Sequence, residues 1–143
     1  MSESKWEKYI VRDIKLQPQD VRPEVMTRGA WLDETVCPGA PYYEAVWVKK
    51  DIPNGPGEHC HEFDEFLGCM GNDPDSDELG CTVQVYIEGE LFEFTKNFVV
   101  YVPAGTKHCP LNFLNVTRPV INYSGGPNVE YLRKYADGTY RVN

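Results

Sequence analysis

Apolar and polar residues alternate along much of this chain, and the alternating stretches are short. Cys81–Ile87 is the clearest case: Val83, Val85 and Ile87 recur at a period of two, which marks a strand with one buried face. Tyr42–Lys49, rich in aromatic and β-branched residues, reads as a second strand. His59–Met70 reads as one continuous strand, and Leu91–Thr95, Phe98–Val102, His108–Leu114 and Thr117–Tyr123 extend the series. Between them lie a loop with two prolines and two glycines (Asp51–Gly57), an acidic loop (Gly71–Gly80) and a tight hairpin turn at Glu88-Gly89. Many short strands at short intervals predict an all-β sandwich or barrel. Residues 1–35 read as an N-terminal arm of mixed pattern, and the aromatic-rich tail Tyr131–Tyr140 leaves helix and extended arm both open.

The 143 residues contain no internal repeat or low-complexity linker, so a single domain over 1–143 is expected, with its core at about 40–125. Eleven prolines and twelve glycines agree with many turns. No apolar run is long enough for a signal peptide or a membrane span, and the expected compartment is the cytoplasm. A formal net charge of −8, with no basic cluster beyond Lys49-Lys50, argues against nucleic acid and anionic lipid as partners. Five cysteines without a C-x-x-C pair predict free thiols rather than a zinc ribbon or a thioredoxin-type site. The run Asp73–Glu78 has Glu78 where a calcium loop needs glycine, so it reads as a solvated acidic loop.

The chemistry lies in the three histidines. His59 and His61, two apart on a strand, point the same way, and Glu65 shares their parity. Two imidazoles and a carboxylate are ligands that suit a borderline divalent metal. His108 is a fourth candidate, placed just after the turn-forming Pro103-Ala104-Gly105. Phe63, Leu67 and Cys69 have the same parity as Glu65 and predict an apolar inner wall, whereas Cys60 and Cys109 should point away from it. Asn112 reads as a turn or hydrogen-bonding residue rather than a ligand. Lys107, Arg28, Trp31 and Tyr43 are of types that line substrate pockets, although no pattern places them in one.

These residues resemble the two motifs of the cupin superfamily. The first stands here as His59-Cys60-His61-Glu62-Phe63-Asp64-Glu65, and the second, Pro-x-Gly-x-x-His-x-x-x-Asn, runs from Pro103 to Asn112. Three outer glycine positions of the pattern are instead Pro53, Asn72 and Asn97, with asparagine expected to take over a left-handed turn. The resemblance implies a small antiparallel jelly-roll β-barrel. It implies that His59, His61, Glu65 and His108 hold one divalent transition metal (Fe, Mn, Ni, Co or Zn). An octahedral ion bound by four side chains keeps two positions open. The function expected is therefore a metal-dependent enzyme of dioxygenase, isomerase or lyase type, acting on a small oxygen-chelating molecule, with Glu65 as both ligand and catalytic base. The alternative is a metal-dependent small-molecule binding or sensing protein without turnover, disfavoured by the lack of a helix-turn-helix region; a purely structural metal is a third reading. A homodimer is expected, formed by strand addition or exchange through the arm Trp6–Leu16.

Overall fold

A computed structural model describes residues 4–16, 22–127 and 133–141 of the chain. In chain order its strands are β1 (Met26–Leu32), β2 (Tyr42–Val48), β3 (His59–Cys60), β4 (Glu65–Met70), β5 (Glu78–Ile87) and β6 (Glu90–Lys96). They continue with β7 (Phe98–Val102), β8 (His108–Leu114), β9 (Val120–Gly126), β10 (Arg133–Tyr135) and β11 (Tyr140–Arg141). Hydrogen bonding sorts them into two antiparallel sheets, ordered β1-β2-β9-β4-β7 and β11-β10-β3-β8-β5-β6. No helix among the described residues is long and apolar enough to cross a membrane.

The alternation that predicts the strands also sets which face each one buries. On β5, Leu79, Cys81, Val83 and Val85 are buried at every second position. They pack against Val46 and Val48 of β2, Cys69 of β4, Phe113 of β8 and Val120 of β9, so one apolar core is shared by the inner faces of both sheets. The turn at Glu88-Gly89 takes left-handed backbone at both residues (φ 49° and 80°), as a two-residue hairpin requires. All five cysteines are free thiols.

Four expectations are corrected. The sheets are not closed into a barrel: no ladder among the described residues joins their edges, and the architecture is a two-sheet jelly roll. At Asn97 the chain leaves β6 for β7 in the opposite sheet, and its backbone N–H donates to Asp77 O at 2.7 Å. Asn97 serves this corner through its side chain rather than a left-handed backbone, since Oδ1 accepts the Gly71 N–H at 2.9 Å. The arm is partly ordered secondary structure: Met26–Leu32 is a sheet strand, whereas Glu7–Tyr9 and Ile14–Leu16 are one-turn 3-10 helices rather than strands. In the tail, β10 and β11 form a hairpin that pairs with β3.

The fourth correction concerns His59–Met70. It is two strands, β3 and β4, in different sheets, and residues 61–64 carry the chain across from one to the other. The crossing is held by the second motif: Gly105 N donates to His61 O at 2.8 Å, and Ala104 N donates to Asp64 Oδ1 at 3.0 Å. Because the two inner faces look at each other, breaking the strand still leaves both its halves directed inward.

Leu79 is fully buried where the sheets meet. Leu79→Ala is expected to keep the fold and lower the unfolding free energy by about 2–5 kcal/mol, measured by urea denaturation.

Candidate metal centre

Two ladders and one turn position the four candidate ligands. His59 on β3 lies directly opposite His108 on β8, and Glu65 on β4 lies opposite Val102, the last residue of β7. The turn Pro103–Lys107 joins β7 to β8, with Gly105 in left-handed backbone (φ 81°) and Thr106 N donating to Pro103 O at 3.0 Å. One short turn therefore ties the glutamate strand to the histidine strand. All four side chains are buried, none more than 4% exposed.

The tautomers of two rings follow from their partners. His59 Nδ1 lies 2.7 Å from Gly57 O, and His108 Nδ1 lies 3.0 Å from Thr106 O. A carbonyl can only accept, so Nδ1 is the protonated nitrogen and Nε2 of each neutral ring carries the lone pair. His108 Nε2 is fully buried and makes no hydrogen bond, yet it lies 3.3 Å from Glu65 Oε1; His61 Nε2 is 3.4 Å from the same oxygen. A lone pair facing a carboxylate oxygen at that range is repulsive unless a cation sits between them. The donor set thus fits a divalent metal.

The potential ligand atoms form two overlapping groups that share His108: His61, Glu65 and His108, and His59, His108 and Cys109, each within 4.8 Å of one another. The His59 ring centroid is 5.1 Å from that of His61 and 4.5 Å from that of His108. Cys109 is a correction. It was expected to point away from the site, but its backbone is left-handed (φ 77°), which interrupts the strand alternation and buries it alongside His108.

Glu65 is held by a second set of contacts that sequence reasoning missed. Tyr42 Oη donates to Glu65 Oε2 at 2.7 Å, which spends its one proton. The 2.5 Å contact of the same oxygen with Ser124 Oγ is then donated by the serine. Burial pushes the Glu65 carboxyl up, whereas the hydrogen bond from Tyr42 favours its ionised form. Phe63 stacks on His61 with centroids 4.7 Å apart, and Tyr135 packs against His59 at 5.7 Å. Phe63, Leu67 and Cys69 are buried, as their parity predicts.

Of the proposed pocket residues, Arg28 and Trp31 share an inner-face cluster: the Arg28 guanidinium lies over the Trp31 ring at 4.4 Å, and its Nε donates to Glu44 Oε2 at 2.8 Å. Tyr43 faces outward and Lys107 is exposed, so neither lies with this cluster. Asn112 links strands rather than ligating: Oδ1 accepts Gly55 N–H at 3.0 Å and Nδ2 donates to Gln84 Oε1 at 3.2 Å. The signal for Tyr42 was present in the phase of β2, since Tyr42 shares the parity of the apolar Val46 and Val48 and Tyr43 does not.

No family model and no curated protein matches the sequence. Solved structures do match. Two structures of oxalate oxidase, one in complex with glycolate, align at TM-scores of 0.54 and 0.52 with 15% and 14% identity. They cover 90% and 87% of this chain and 63% and 62% of theirs. An RmlC-like cupin from Shewanella frigidimarina aligns at TM-score 0.44 and 12% identity, over 73% of this chain and 77% of its own. At such identities the likeness is one of fold.

Tyr42→Phe removes the donor to a buried carboxylate oxygen. Metal-free protein is expected to lose about 1–3 kcal/mol of stability at neutral pH. Because Tyr42 donates to the ionised carboxylate, this contribution fades as pH falls through the carboxylate range and Glu65 takes up a proton. Denaturant unfolding of both proteins across that window checks the size and the sign.

Proposed function

We propose that the chain is a cupin and that it is a metal-dependent enzyme acting on a small organic molecule that chelates through oxygen. In this reading His59, His61, Glu65 and His108 hold one divalent transition metal: Fe, Mn, Ni, Co or Zn. The observation that carries it is the buried Nε2 of His108, without a hydrogen bond and facing Glu65 Oε1. The metal would polarise the chelating oxygens of a substrate and, if redox-active, support oxidation.

The chain's own residues have distinct parts in this reading. Tyr42 holds Glu65 Oε2, which leaves Oε1 turned to the histidines. The carbonyls of Gly57 and Thr106 fix the ring orientations of His59 and His108. Phe63 and Leu67 keep one wall dry, which strengthens electrostatic interactions at the centre. In this reading Glu65 would also serve as the base that takes up a substrate proton. Oxalate and glycolate, named with the structural neighbour, are small molecules that chelate through oxygen, which supports the substrate class without fixing the substrate.

Elemental analysis of protein purified without an affinity tag tests this reading. About one equivalent of transition metal per chain is expected, lost in His59→Ala/His61→Ala protein that keeps its far-ultraviolet circular dichroism. Iron or manganese would direct screening to oxygen consumption; nickel, cobalt or zinc would direct it to isomerase and lyase assays. Protein that neither retains metal nor takes it up on reconstitution contradicts the proposal, as does an unchanged metal content in the double variant.

A further inference from the structure

The ligand atoms around His108 divide into two sets of different chemistry. His61 and Glu65 stand on one side and bring a carboxylate oxygen; His59 and Cys109 stand on the other and bring a sulfur. The atoms of each set lie within 4.8 Å of one another, and His59 groups with the sulfur, not with the carboxylate. All five side chains are buried.

Cys109 reaches this place against the strand pattern. It follows His108 directly on β8, so regular alternation would turn its thiol to the opposite face. The left-handed backbone at Cys109 (φ 77°) brings Sγ to the side of the histidine instead. Among the described residues no other cysteine joins two ligand side chains in such a set; Cys60, although it adjoins His59, belongs to neither.

The imidazoles beside this sulfur are already turned for ligation. Nδ1 of His59 and Nδ1 of His108 face the carbonyls of Gly57 and Thr106, so each ring offers one lone pair, at Nε2. Nε2 of His108 is fully buried and makes no hydrogen bond. That lone pair is common to both sets, and it can bind one ion at a time.

We propose that Cys109 Sγ is a metal ligand, and that His59, His108 and Cys109 form a thiophilic site that competes with the side of the centre containing Glu65. The proposal rests on the reading of the histidines as ligands and adds a basis for metal selectivity to it. Each set supplies one anion, a carboxylate or a thiolate, so charge alone does not sort the ions. Softness does: oxygen-preferring ions such as manganese take the set with Glu65, and thiophilic ions such as copper(I) or cadmium take the set with Cys109. A metal–sulfur bond there replaces the S–H bond, and the proton leaves to solvent. Because His108 is shared, a thiophilic ion displaces manganese rather than binding beside it.

Cadmium titration of metal-free protein tests this, read by thiolate-to-cadmium charge-transfer absorption in the ultraviolet. Manganese binding is measured in parallel by electron paramagnetic resonance of the free ion. The unmodified chain is expected to reach full absorption at one equivalent of cadmium and to release bound manganese as it does so. Cys109→Ser is expected to lose the absorption and still bind manganese. Its cadmium affinity should fall at least about tenfold, since losing even an outer partner of a ligand costs about 10–100-fold. Cys60→Ser is expected to behave as the unmodified chain. Cadmium-edge X-ray absorption of the Cys60→Ser protein gives a second reading that does not need the Cys109 variant to fold: a sulfur neighbour supports the proposal, and a shell of nitrogen and oxygen alone overturns it. A chain that binds manganese but shows no charge-transfer absorption, or an absorption that survives in Cys109→Ser, overturns the proposal and leaves the metal reading standing. A chain that binds neither ion overturns both.

Discussion

Oε1 of Glu65 lies 3.3 Å from one imidazole nitrogen and 3.4 Å from another, in a pocket where all of these side chains are buried. A carboxylate is costly to bury, and it becomes costlier when the nitrogens around it present lone pairs. Much of the local structure answers this one constraint. Tyr42 satisfies the far carboxylate oxygen, and two backbone carbonyls hold the protons of His59 and His108 on the far side of their rings. The near side is left to a cation. The same backbone that supplies those carbonyls forms the loops at Gly57 and Thr106, so loop shape and ligand orientation are one problem.

The topology serves that geometry. β3 and β4 belong to opposite sheets, and the four residues between them carry His61 across the interior. The turn after β7 fastens the crossing through Gly105 N and Ala104 N and then delivers His108 opposite His59. The apolar core of Val83, Val85, Phe113 and Val120 keeps the sheets in register, which in turn fixes distances at the site. Inner and outer faces divide the labour along each strand: Glu65 and Leu67 look into the site and core, while Phe66 looks out to solvent.

Much of this was legible in the sequence, for definite reasons. The strands from Tyr42 to Tyr123 follow from alternation and turn residues, and the histidines follow from ligand chemistry and spacing. Alternation misled where the backbone breaks it. His59–Met70 looks continuous because parity is blind to a crossing between sheets whose inner faces oppose each other. Cys109 faces inward because its φ of 77° interrupts the strand, which no residue count reveals. β1 was hidden by the bulge between Arg28 and Ala30, which shifts its phase part-way along. Tyr42 was overlooked beside Tyr43, although the valines two and three turns of the pleat further on fix which of the pair points inward.

The account rests on Nε2 of His108 being a bare lone pair that accepts a metal. The most direct test is nitrogen-15 spectroscopy of the imidazole rings in metal-free protein, followed by titration with zinc. Nδ1-protonated tautomers for His59 and His108 are expected, with their Nε2 resonances moving to metal-bound positions by one equivalent of zinc. Rings protonated at Nε2, or Nε2 resonances unmoved by zinc, would contradict it.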